Sequence, residues 1–65
     1  MNVTVETKYR VMWTDESGNK GDVGYPVEDM SQEEAEAIKR AYERAGKPNR
    51  YDVYEVNYFV PVLAA

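Results

Sequence analysis

A chain of 65 residues has room for one domain, and a domain of that size buries only about 60% of the surface its unfolded chain exposes. It contains no cysteine and no histidine, which excludes disulfide staples, thiolate chemistry, the usual general base and the commonest metal ligand. A net charge of −4, from 12 acids and 8 bases, disfavours nucleic acid as a partner, because phosphate contacts need clustered Lys and Arg.

Residues 3–14 alternate. Val3, Val5, Thr7, Tyr9, Val11 and Trp13 share one parity, and Thr4, Glu6, Lys8, Arg10, Met12 and Thr14 share the other. Period two with β-branched and aromatic residues predicts a half-buried strand with its apolar parity on the core. Residues 15–22, rich in Gly, Asn and Asp, read as a loop, since Gly and Asn tolerate positive φ. Asp15, Ser17 and Asn19 stand at EF-hand spacing, but Lys20 occupies the place of the required Gly and Pro26 that of the bidentate Glu. Val23, Tyr25 and Val27 then alternate with Asp22, Gly24 and Pro26, predicting a second strand over 22–27. Pro26 lacks a ladder donor and puts that strand at an edge.

Ser31 and Glu34 form a capping-box pattern. A helix over 31–45 follows, with Ala35, Ile38, Ala41, Tyr42 and Ala45 as its apolar stripe. Glu36 and Arg40, and Lys39 and Glu43, stand at ion-pair spacing. Gly46 suits a left-handed cap and Pro48 blocks continuation. The last strand is expected over 51–62, with Tyr54, Val56, Tyr58, Val60 and Val62 as its fuller apolar parity, and Tyr51, Val53 and Phe59 on the other.

A right-handed crossover from the second strand to the third, with the first strand in the middle, gives strand order 2-1-3. The expected fold is therefore a two-layer α+β domain, ββαβ, with a three-stranded antiparallel sheet and one helix on one face. The predicted core is Val11, Trp13, Val23, Tyr25, Ile38, Tyr42, Tyr54 and Val56. Strands of about 11 residues reach roughly 36 Å, whereas a helix of about 14 residues reaches roughly 21 Å. With Trp13 beside Tyr51, Val3 falls beside Pro61, so the first and third strands run on as a ribbon past the helix. That ribbon carries Val3, Val5, Tyr58, Phe59, Val60, Val62 and Leu63, and an apolar ribbon needs a cover, either another chain or its own tail folded back over the open face of the sheet.

The expected function is a non-enzymatic protein-interaction module, a homo-oligomer with a dimer favoured, or a module docking on a host protein. Ser17 and Ser31 have no His partner, and a small two-layer domain offers little concavity for a carboxylate pair. No catalytic residue, cofactor or metal is expected. Charge suggests two alternatives. Eight acids and one base fall within residues 15–36, which would suit an acidic inhibitor or nucleic-acid mimic in a basic groove. Five bases and one acid fall within residues 38–50, near Tyr42 and Tyr51, which would suit weak single-strand binding. No apolar stretch approaches the ~20 residues of a membrane span. No basic segment followed by an apolar run opens the chain, so a cytoplasmic location is the expectation.

The stretches Tyr-Arg-Val-Met-Trp-Thr-Asp at 9–15, Gly-Tyr-Pro at 24–26, Glu-Glu-Ala-Glu-Ala at 33–37 and Tyr-Asp-Val-Tyr-Glu-Val at 51–56 resemble small uncharacterised ββαβ proteins of bacteriophage and bacterial genomes. The resemblance carries over no functional residue. It implies an accessory protein that works by binding, in some phage cases by inhibiting host defence. The capped, Glu/Lys/Ala-rich helix would also suit a designed protein.

Overall fold

The computed structural model describes residues 2–46 and 48–62. Its elements are β1 (Asn2–Thr14), β2 (Lys20–Asp22), α1 (Gln32–Arg44) and β3 (Arg50–Val62). The sheet is antiparallel in the order β2-β1-β3, with the helix packed on one face, as the periodicities and crossover rule predict. Ser31 caps the helix reciprocally: its Oγ accepts from the Glu34 amide and the Glu34 carboxylate accepts from the Ser31 amide, both at 3.2 Å. Ala45 closes the helix and Gly46 follows at φ +73°, a left-handed conformation that glycine adopts without a Cβ clash. The expected pairs Glu36–Arg40 and Lys39–Glu43 do not close to ion-pair distance.

The β1/β3 register runs unbroken from Asn2 opposite Val62 to Thr14 opposite Arg50, with Trp13 opposite Tyr51 and Val3 opposite Pro61. Directly opposed residues share a sheet face. Trp13 and Tyr51, and Val11 and Val53, therefore look toward the helix, while Arg10 and Tyr54, and Lys8 and Val56, look away from it. The buried core is Val11, Met30, Ala35 and Tyr51, with Tyr9, Trp13, Val23, Ile38, Tyr42 and Val53 packed around it. Tyr42 stacks on Tyr51 with ring centres 5.2 Å apart.

Three features depart from the sequence reading. First, β2 occupies Lys20–Asp22 rather than 22–27. Val23 still donates to the Val11 carbonyl at 3.1 Å, but Gly24, at φ +81°, turns the chain out of the ladder. It returns only at Met30, which bridges Tyr9. Second, Tyr25 lies in that excursion and is 69% exposed, outside the core, beside an apolar cleft with Ile38, Ala41, Tyr42 and Ala45. Third, Tyr54 and Val56 are half-buried on the face away from the helix. The parity of β3 that reaches the core belongs to Tyr51 and Val53, because register against β1 outweighs the number of apolar residues on each side.

Trp13 lies over Gly21, its cross-strand partner. A Cβ on Gly21 would stand 2.8 Å from the Trp13 indole Cζ2. Gly21→Ala is expected to destabilise the domain by about 1–3 kcal/mol through overpacking, seen as a lower urea midpoint with unchanged slope. An unchanged midpoint would mean that the indole shifts freely.

Candidate interaction surface and the arginine side of the sheet

The long strands outrun the rest of the molecule. The extents are 51 × 23 × 14 Å and the radius of gyration is 14.9 Å, against about 11 Å for a compact chain of this length. On β1, residues 2–8 are exposed; on β3, residues 57–62 are exposed. The apolar ribbon residues divide between the two faces by the register. Val3, Val5 and Phe59 lie on the helix side, beyond the helix, and Phe59 is 74% exposed. Tyr58, Val60 and Val62 lie on the opposite side, each partly exposed. Leu63 falls outside the described residues. Ribbon residues also make polar cross-strand contact, the Thr7 hydroxyl donating to Asn57 Oδ1 at 2.7 Å.

The face away from the helix holds a group of residues that periodicity did not single out. Arg10 sits on the polar parity of β1, yet its side chain is only 12% exposed. Its Nε and Nη2 donate to the two carboxylate oxygens of Asp22 at 2.7 and 2.8 Å. Nη2 also donates to the Pro26 carbonyl at 2.8 Å and Nη1 to the Val27 carbonyl at 2.9 Å, with Asp29 Oδ1 3.5 Å from Nη1. One guanidinium thus holds the whole excursion between β2 and the helix. The fork geometry is what Arg offers and Lys lacks.

Two phenols complete the cluster. The Tyr54 hydroxyl donates to Asp22 Oδ2 at 2.6 Å and the Tyr58 hydroxyl donates to Asp29. Tyr58, one of the expected interface residues, is therefore tied to its own chain at its polar end. Arg10 holds the Asp22 carboxyl well below the usual range, against the opposing effect of burial, with the Tyr54 hydroxyl and the Gly24 amide adding to the shift. The carboxylate in turn raises the Arg10 guanidinium and the Tyr54 phenol. Asp29 raises the Tyr58 phenol in the same way. The sequence signal for this cluster was an arginine on the outward parity of a strand two residues from Met12, followed by acids in a Gly/Pro-rich segment. Nothing in the spacing said that they would meet.

An open cleft of about 460 Å³ is lined by Trp13, Asp15, Val23, Tyr42, Asn49 and Tyr51. The Asp15 carboxylate at its rim is spent on its own loop. Its Oδ1 accepts from the Ser17 and Asn19 amides, both at 2.9 Å. These bonds, the Asn19 amide foremost, hold its carboxyl below the usual range. Among the described residues, no three Asp or Glu side chains gather where they could hold a metal ion. Among the described residues, no helix is long and apolar enough to cross a membrane.

The architecture is thus an α+β domain in which one half is packed under a helix and the other is a two-stranded ribbon left exposed among the described residues. No family model, no curated protein and no solved structure matches the chain.

Proposed function

We propose that the protein is a non-enzymatic interaction module that self-associates through the β1/β3 ribbon. The observation that carries this reading is the exposure of Val3, Val5 and Phe59 on one face and of Val60 and Val62 on the other, at the end of the sheet that the helix does not reach. Isolated two-stranded ribbons are marginal in water, and apolar surface of this kind gains roughly 25 cal/mol for each Å² covered. A dimer is the simplest assembly that supplies the cover from the chain itself. This reading goes with a cytoplasmic, accessory role of the kind the phage and bacterial resemblance implies.

The two charge-based alternatives have less support. Asp22 and Asp29 of the acidic stretch are turned onto Arg10, and Glu33 and Glu34 sit in the first helical turn, where the macrodipole favours anions. Tyr42 stacks on Tyr51 and does not stand free to receive a base.

Sedimentation velocity across micromolar to millimolar concentration tests the reading. The expected result is a concentration-dependent dimer mass. Phe59→Asp places a carboxylate on the ribbon in both copies. A loss of about 1.4 kcal/mol per copy raises the dissociation constant at least about a hundredfold. A strictly monomeric mass at millimolar concentration would remove the proposal.

A further inference from the structure

The two edges of the ribbon differ, and the difference follows from three hydrogen bonds. Tyr9 donates to the Met30 carbonyl at 2.8 Å, Met30 donates to the Tyr9 carbonyl at 2.9 Å, and Val23 donates to the Val11 carbonyl at 3.1 Å. The backbone groups of Tyr9 and Val11 therefore point toward β2, away from β3. Backbone direction alternates along a strand, and the β1/β3 register has no bulge. Val3, Val5 and Thr7 consequently present their amides and carbonyls on the β2 side as well. There β2 reaches only Met12, Trp13 and Thr14, and Met30 only Tyr9. Among the described residues, no strand pairs with that edge beside residues 2–7.

On β3 the same alternation turns Tyr51, Val53, Glu55, Asn57, Phe59 and Pro61 outward. That edge is blunted at the ribbon's end, because Pro61 has no N–H to offer. The β1 edge carries no proline. Among the described residues its stop is Met30, which bridges Tyr9 and after which Ser31 caps the helix, so an added strand is limited to about six residues.

Resting on the self-association reading, we propose that two chains join edge to edge along residues 2–7 of β1, antiparallel about a two-fold axis at Val5. Val5 then stands opposite the partner's Val5, and Val3 and Thr7 stand opposite the partner's Thr7 and Val3. Exchange of both bonds at each of these three pairs gives about six hydrogen bonds. The limit set by Met30 matches this overlap from both ends. Since Val5 already faces Phe59 within the chain, one face of the joined sheet carries a row of Phe59, Val5, the partner's Val5 and the partner's Phe59. Such cross-strand apolar neighbours stabilise a sheet. The arrangement is self-complementary and closed, so it uses the β1 edge of each chain and does not propagate.

The test combines sedimentation with amide exchange measured by NMR on the intact chain, and uses chemical synthesis to place single backbone N-methyl groups. The inference expects the Val3, Val5 and Thr7 amides to exchange at least tenfold more slowly in the dimer than in dilute monomer. It expects N-methylation of Val5 to raise the dissociation constant at least a hundredfold with the far-UV circular dichroism retained, because the β1/β3 ladder is made by the alternate residues. N-methylation of Asn57, on the outward phase of β3, should leave the mass unchanged. A dimer in which the Asn57 and Phe59 amides are protected instead would overturn the inference in favour of the β3 edge. A dimer that survives N-methyl-Val5 but separates on Phe59→Asp would overturn it in favour of face packing while leaving self-association standing. A chain that remains monomeric at millimolar concentration overturns both.

Discussion

Tyr51→Ala is expected to cost about 3–5 kcal/mol, the range for truncating a buried aromatic side chain. A domain of this length has roughly 3–10 kcal/mol in total, so the variant would be close to unfolding at room temperature. The size of the effect comes from position. Tyr51 is 3% exposed, stacks on Tyr42 from the helix and stands opposite Trp13 in the ladder. Its removal opens a cavity where β1, β3 and α1 meet. Tyr54, three residues along and on the other face, serves as the control. Its loss should cost about 1–2 kcal/mol, from one charge-assisted hydrogen bond and a half-buried ring. Urea unfolding at a fixed protein concentration separates the two, the concentration being held because the proposed dimerisation would add to apparent stability. Equal losses would mean that the face assignment of β3 is wrong.

Asp22→Asn is expected to cost about 2–3 kcal/mol. Removing one partner of a buried ion pair typically costs about 3–5 kcal/mol, and the lower figure allows for solvent screening, since Asp22 is 30% exposed while Arg10 is 12% exposed. The loss would fall on the segment 23–29, whose carbonyls Arg10 also holds. The dependence on pH identifies the cause. The Asp22 carboxyl is depressed in the folded state, so its contribution is complete above the unfolded value of about 3.9 and is lost as the pH falls from there through the folded value. The Tyr54 phenol is raised, so its contribution is complete below the unfolded value of about 10 and is lost as the pH rises through the folded value. The native chain should therefore lose stability below about pH 4 and above about pH 10. Asp22→Asn should flatten the acid limb, and Tyr54→Phe the alkaline limb. An acid limb unchanged in Asp22→Asn would place the titration elsewhere.

The extent to which the sequence revealed this protein depended on the range of the interaction involved. Local interactions were legible. The capping box of Ser31 and Glu34, the left-handed Gly46, the alternation of β1 and the helical stripe are each set within a few residues, and the connection rule with β1 placed in the middle then gives the strand order. The register entered as a condition, Val3 falling beside Pro61 if Trp13 stands beside Tyr51, and the ladder has both pairs. From it came the uncovered ribbon on which the functional proposal stands. What the tertiary structure decided was which side of β3 is inside. Tyr54, Val56, Tyr58, Val60 and Val62 make the more apolar parity, yet opposition to Val11 and Trp13 places Val53 and Tyr51 against the helix. The excursion after Gly24 was hidden for the same reason. Alternation through Val23, Tyr25 and Val27 favours a strand, but the guanidinium of Arg10, reaching Pro26 and Val27 from 16 and 17 residues away, gathers their carbonyls and the Asp22 carboxylate into a single site. Hydrogen bonds between groups so far apart in the chain leave no period to read, and only the folded geometry brings them together.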